Sequence, residues 1–326
     1  MMCRVAIAGL GGVGRAVAAM LLTRRQRYRD LYGADVRLVA VCGSRTGLVD
    51  ARGLERFDML EPGLSGVEIL QGADVLIEAG PSDFRSGGPG LAYIGAALAG
   101  GMDAVVISKG ALVHSGAALR AAAQKSGAML KISGATAAAL PTIDLLHYGL
   151  RGTHVLGIEG ILNATTNYLL NAMMQRGIGF AQALAEAQAG GFAEADPRYD
   201  TQGWDTACKL LILANFGLDA DLRIDEMAVE GIEGISPDQI ARWRRDGLMP
   251  RLVGRLMREG GQWRAQVELR TYPTDDAFAH VPGKTKAIRI ATDTMGEILA
   301  MGGGAEPTAT ASAALKDFEH ILEARR

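Results

Sequence analysis

Apolar positions in the first third of the chain come in short β-rich runs separated by longer segments of small and mixed residues. Cys3–Leu10 (CRVAIAGL), Val36–Val41 (VRLVAV), Ala73–Ala79 (ADVLIEA), Ala104–Ser108 (AVVIS) and Ala128–Ile132 (AMLKI) predict strands. Val13–Leu22, Gly90–Ala99 and Leu119–Lys125 predict helices between them. Such alternation predicts an α/β domain over residues 1–132. The pattern changes at Ser133–Leu140 (SGATAAAL), before Pro141 opens a predicted helix Thr142–Gly149. Beyond it Val155–Leu162 reads as a strand, Phe180–Ala189 as an alanine-rich helix and Trp204–Phe216 as an apolar helix. Val253–Met257, Trp263–Leu269 and Thr285–Ala291 predict strands of an antiparallel or mixed sheet. Residues 133–301 are therefore expected to form a second, α+β domain. A terminal helix from about Thr308 to Ala324, within 302–326, is expected to return and complete the first.

Composition narrows the class. The chain has 326 residues, enough for two real cores, and 48% hydrophobic with 21% charged residues is ordinary for a soluble protein. A net charge of −2 and 5% aromatic residues give no footing for nucleic acid or an anionic membrane surface. Cys3, Cys42 and Cys208 are scattered, odd in number and without metal spacing, so reduced thiols and a cytoplasmic location are expected. His114, His147, His154, His280 and His320 do not cluster either. No signal segment opens the sequence, and no uncharged run reaches transmembrane length.

Candidate chemistry begins at Gly9, Gly11 and Gly14, spaced G-x-G-x-x-G between the first strand and the first helix. Gly9 permits the tight turn, Gly11 lets the backbone approach a pyrophosphate, and Gly14 packs helix on strand. The pyrophosphate then lies on the free N–H groups of the helix N-terminus, which makes this a Rossmann-type dinucleotide site. Gly12 and Val13 complete the loop as cofactor candidates. The second strand ends in Cys42-Gly43-Ser44-Arg45, without the acid that usually takes the ribose 2′-OH of NAD. Ser44 and Arg45 suit a 2′-phosphate instead, so NADP is favoured, with NAD the alternative. Ser82 ends the third strand's loop, and Lys109 follows the fourth strand at the same sheet edge, where cofactor or substrate is expected. Gly304 belongs to a glycine run that opens the terminal helix and offers backbone N–H groups.

Ala187–Lys209 (AQAGGFAEADPRYDTQGWDTACK) carries Glu194, Asp196, Asp200 and Asp205 and ends in one lysine. Its glycines and Pro197 predict a loop from Gly191 to Gly203, with a helix from Trp204. Asp205 and Lys209 then share a helix face, either as a surface ion pair stabilising by about 0.2–0.5 kcal/mol or as groups poised for proton transfer. Upstream, Asn163-Ala164-Thr165-Thr166-Asn167-Tyr168 reads as a helix cap, as a row of donors for a small polar ligand, or as both.

Taken together, these motifs resemble homoserine dehydrogenase, in the short form without a C-terminal regulatory domain. The resemblance rests on the glycine loop, Ser108-Lys109-Gly110, Gly160–Tyr168, the Ala187–Lys209 signature, and Gly302-x-Gly304-Ala305 with Thr310–Ala313. Departures are Ala164, Ala137 and Ala139 for glycines, Thr201 for an aliphatic residue, Lys286 for an asparagine, and Glu306-Pro307 for glycines. The resemblance implies a two-domain oxidoreductase interconverting L-aspartate 4-semialdehyde and L-homoserine with NAD(P)H. It implies Lys209 as catalytic acid/base and Lys109 as a second catalytic lysine. Glu194, Asp205 and Thr165 become substrate residues. It also implies a homodimer through the second domain, no feedback through a regulatory module, and a sodium ion on the backbone of Ser133, Thr136, Ala138 and Leu140. Two other readings of the residues remain: a related dehydrogenase acting on another small amino or hydroxy acid, and a non-catalytic cofactor-binding sensor.

Overall fold

The structure is a computed structural model that describes residues 1–304 and 306–326. Ala305, part of the C-terminal glycine motif, lies outside the described residues. Two compact units are present, Met1–Ala139 with Glu306–Arg326, and Leu140–Ala305. The first boundary therefore falls later than the expected Ile132. Asp317 of the terminal helix Pro307–Ala324 accepts the Ser133 backbone N–H at 2.7 Å and its hydroxyl at 2.7 Å, which holds this segment to the first unit. Gly302 ends a strand of the second unit, and Glu306 onward belongs to the first.

The first unit is built on a seven-stranded sheet. Its strands are β1 (Met2–Ala8), β2 (Asp35–Cys42), β3 (Thr46–Val49), β4 (Glu61–Pro62), β5 (Val75–Glu78), β6 (Asp103–Val106) and β7 (Leu130–Lys131). The order β4-β3-β2-β1-β5-β6-β7 is parallel from β2 to β7, with β3 and β4 antiparallel at one edge. Its helices are α1 (Gly12–Thr23), α2 (Arg25–Tyr32), α3 (Gly90–Ala99) and α4 (Gly110–Ser126). The chain leaves β1 toward β2 on one side and meets β5 on the other. The loop after β1 thus lies at a topological switch point, where α/β sheets bind ligands. Val5, Ile7, Leu38 and Ile77 are fully buried, as near-continuous apolar strands of a parallel sheet should be. Leu315, Phe318 and Leu322 of the terminal helix join that core, with Phe318 edge-on to Tyr28 at 5.5 Å. Tyr28 is the one buried residue of the charged helix α2, which no apolar stripe announces.

The second unit holds a six-stranded mixed sheet of β8 (Val155–Ile161), β9 (Ala228–Val229), β10 (Leu248–Glu259), β11 (Gln262–Pro273), β12 (Lys286–Thr292) and β13 (Glu297–Gly302). The order is β13-β12-β8-β10-β11-β9, and only β9 runs parallel to its neighbour. Its helices are α5 (Ala164–Arg176), α6 (Phe180–Ala189), α7 (Trp204–Gly217) and α8 (Pro237–Arg245). Helix α7 is almost entirely buried from Leu210 to Ala214, as its apolar run requires. The glycine of β10 makes room for it: a Cβ at Gly254 would lie 3.2 Å from Thr206 and 3.3 Å from Leu210. The predicted helix Thr142–Gly149 is one α-turn that widens into a π-helix at Leu145–Gly149. The predicted loop Gly191–Gly203 contains one short helix, Arg198–Thr201. Among the described residues no helix is long and apolar enough to cross a membrane.

Candidate active site

In the first unit the glycine loop does what its spacing requires. Gly9 has φ +102°, and a Cβ there would lie 2.4 Å from the Ala79 carbonyl carbon. A Cβ at Gly14 would lie 1.8 Å from the Gly9 oxygen, so helix α1 approaches the loop as closely as backbone allows. Gly11 is different. It caps α1 without a side-chain hydrogen bond, and a Cβ there meets nothing within 4 Å. A pocket of about 960 Å³ opens in front of it. Gly9, Gly11, Gly12, Val13 and Ser44 stand on its wall. These are bare N–H groups at a helix N-terminus, which fit a pyrophosphate.

Arg45, Ser82 and Lys109 of the same unit do not line that pocket. Arg45 is exposed, next to Ser44. Ser82 is exposed and accepts the Lys109 backbone N–H at 2.9 Å, which fixes the start of α4. Lys109 is half-buried between β6 and α4. Gly304 is exposed in the second unit, after β13.

Two wall residues escaped the sequence reading. Glu78, 1% exposed, accepts the Ser108 hydroxyl at 2.6 Å and the Gly80 N–H at 2.7 Å. Burial nevertheless pushes its carboxyl up, against the pull of those donors. Tyr93 accepts the Gly66 N–H at 2.7 Å and touches the Cys42 sulfur at 3.4 Å. Its phenol is pushed up to about 12, chiefly by burial, and stays neutral. Neither carries a local sequence signal: Glu78 reads as the end of an apolar strand and Tyr93 as one turn of a helix.

In the second unit a compact cluster joins four segments. Lys209 of α7 donates to Asp205 one turn earlier at 2.6 Å and to the Leu162 carbonyl at 2.8 Å. The two side chains are 14% and 7% exposed, so this is a buried pair and the surface value does not apply. Asn163 follows Leu162 and caps α5, its Oδ1 accepting the Thr166 N–H at 2.8 Å. Its amide nitrogen donates to Asp200 at 2.8 Å and to Asp205 at 2.7 Å. Asp200 also takes the Thr165 hydroxyl. Burial first, and the Asp205 charge second, push the Asp200 carboxyl up. The cap and the polar-row readings of Asn163–Thr166 therefore hold together. Glu194 stands outside this cluster, exposed on the loop, where its backbone carbonyl accepts from Gln188.

At two of the backbone positions suggested for sodium the carbonyls already accept hydrogen bonds. The Ser133 carbonyl already accepts both the Thr136 N–H and the Thr136 hydroxyl. The Leu140 carbonyl accepts the Thr142 N–H. Ala138 holds φ 54° without being glycine.

Comparison with known proteins adds the family. The model of the homoserine dehydrogenase domain matches residues 141–318, and that of the homoserine dehydrogenase NAD binding domain matches residues 9–132. The chain belongs to the homoserine dehydrogenase family. The NAD(+)-dependent homoserine dehydrogenase of Pseudomonas canavaninivorans is 34% identical, over 98% of this chain and 96% of that one. The homoserine dehydrogenase of Methanocaldococcus jannaschii is 30% identical, over 99% of each. A crystal structure of a homoserine dehydrogenase from Thiobacillus denitrificans aligns with a TM-score of 0.89 at 26% identity, covering 100% of this chain and 74% of that one. As a homoserine dehydrogenase family member, the chain is an NAD(P)-dependent oxidoreductase.

Proposed function

We propose that this protein interconverts L-aspartate 4-semialdehyde and L-homoserine, with NADP(H) preferred over NAD(H). The observation that carries the reading is the Lys209 ammonium. Two of its three N–H directions are taken, by Asp205 and the Leu162 carbonyl, and the third is left for a substrate oxygen. When bound, the nicotinamide cofactor supplies the hydride. Carbonyl reduction then turns the aldehyde oxygen into an alkoxide, and Lys209 stabilises that charge and donates the proton. In the oxidative direction it takes the proton back. Asp205 keeps the lysine aimed, Thr165 lines the substrate, Glu194 holds the amino end, and Lys109 acts as the second lysine beside the nicotinamide. Ser44 on the pocket wall, with Arg45 adjacent and no acid at the end of β2, supports NADP. Sodium enters no step.

The reading includes a cytoplasmic homodimer. Support for the dimer comes from one face of the second unit's sheet, where Leu299 and Met301 are 39% and 43% exposed. On the same face, by register, lies Glu159, gripped by Arg255, Arg270 and Arg289. A monomer mass in solution would remove the dimer.

The test is semialdehyde-dependent oxidation of NADPH and NADH by the wild type and by Lys209→Met. Faster turnover with NADPH is expected, and a fall of about 10²–10⁴ in kcat for the variant with cofactor affinity kept. Near-normal turnover of Lys209→Met would sink the acid/base role.

A further inference from the structure

Asn163 does two jobs with one side chain. Its Oδ1 faces the Thr166 N–H at 2.8 Å and the Thr166 hydroxyl at 3.2 Å, which fixes the amide's orientation. The amide nitrogen must then point the other way. Its two N–H groups divide between Asp200 on the short helix Arg198–Thr201 and Asp205 on α7. Asn163 is 4% exposed and Asp205 5%, so water does not replace the bond between them, while Asp200 is half-buried. Asp205 Oδ2 accepts from both Asn163 and Lys209, and Lys209 is tied in turn to the carbonyl of Leu162, the residue before Asn163.

We infer that Asn163 is a positioning residue, a neutral clamp that sets where the Asp205–Lys209 pair points and holds Asp200 beside it. The inference rests on the acid/base reading of Lys209. The physical need is clear. Two carboxylates and one ammonium share a buried volume, and a neutral double donor is the one side-chain type that satisfies both acids without adding charge. A lysine or arginine there would compete with Lys209 for Asp205. An aspartate would cap α5 equally well but could not donate while ionised. The helix cap thus orients the clamp: because Thr166 holds the oxygen, the amide hydrogens cannot turn away from the acids.

The cap and the clamp separate experimentally. Asn163→Asp and Asn163→Ser both keep a good N-cap, and both remove the two donors to Asp200 and Asp205. The expected result for each is a lower melting temperature, because buried acids lose their donors, with an unchanged KM for the nicotinamide cofactor and a kcat lower by about 10- to 100-fold when assayed well below the variant's melting temperature. Asn163→Asp should also regain part of its activity, relative to the wild type, as pH falls and the introduced carboxyl picks up a proton it can donate. The charged and titratable groups around that carboxyl are Asp200, Asp205 and Lys209, with Tyr199 and Cys208 nearby on the same two helices. Asn163→Ser, which gains no such proton, should show no recovery. Normal kcat in both variants would leave Asn163 as a cap alone and overturn the inference. So would a lowered kcat that recovers to the wild-type value at assay temperatures where both variants are fully folded. A near-normal Lys209→Met enzyme would instead overturn the acid/base reading, so the two failures are distinguishable.

Discussion

The glycine loop of the first unit and the carboxylate–lysine cluster of the second are specified by opposite means. At the loop, recognition depends on atoms that are missing. Gly9 and Gly14 stand where any Cβ would strike backbone, and Gly11 stands where a Cβ would meet only the pocket. At the cluster, function depends on side chains that are present and crowded. Asn163, Asp200, Asp205 and Lys209 hold one another within hydrogen-bonding distance in a largely dry volume. A site made of bare backbone is sensitive to added volume; a site made of paired polar groups is sensitive to lost partners.

The contrast is broken hardest at Gly14. Gly14→Ala should displace the loop, because its Cβ would lie 1.8 Å from the Gly9 oxygen and 2.9 Å from the Gly9 carbonyl carbon, both backbone. A loss of about 1–3 kcal/mol in stability is expected, together with loss of cofactor binding. Gly11→Ala should fold normally and weaken cofactor binding alone. Chemical denaturation and cofactor titration on both variants make the check. Equal stability losses would mean that Gly11 too is packed rather than held open.

This difference also governs what could be read from the sequence. The glycine motif is local, six residues between a strand and a helix, so spacing alone exposes it. Asp205–Lys209 is local too, one helical turn. The bonds from Asn163 to Asp200 and Asp205 span 37 and 42 residues, and nothing in the sequence near Asn163 announces them. Glu78 is hidden for a related reason: its carboxyl packs against Gly80 and against Gly90 at the start of α3, where a Cβ would lie 2.8 and 2.7 Å from its Oε1. Strand β13 has no sequence signal, because Glu297–Gly302 alternates exposed and half-buried positions without a polar–apolar contrast to match. Helix α8 carries a local signal. Ser236-Pro237-Asp238-Gln239 is a capping box with proline at the first turn, and both reciprocal bonds form.

Glu78 gives a test of intermediate size, since it is a paired polar group inside the backbone-built site. Its folded-state pKa is raised by burial. The sign follows from linkage: the stabilising contribution is full below the ordinary glutamate value of about 4.3 and is lost as pH rises through the raised folded value. Glu78→Gln has no such titration. The melting temperature of the wild type relative to the variant should therefore drop between pH 4 and pH 8. A difference that stays constant across that range would show that Glu78 titrates normally.

The smallest effect is expected at Thr201, beside Asp200 yet outside the cluster. Its side chain is fully buried, and its hydroxyl donates to Glu233 and to the Pro197 carbonyl. This explains a threonine where the family usually carries an aliphatic residue: the buried hydroxyl has found acceptors. Thr201→Val keeps the shape and removes those bonds, but Glu233 is exposed and water can replace the lost donor. Stability should change by no more than about 1 kcal/mol, and kcat should not change. One methyl group at Gly14 is then destructive, whereas an isosteric change one residue from Asp200 is nearly silent, because the second site is fixed by its polar partners and not by the scaffold next to them. A large fall in kcat for Thr201→Val would instead make the buried side of that short helix part of what aims Asp200.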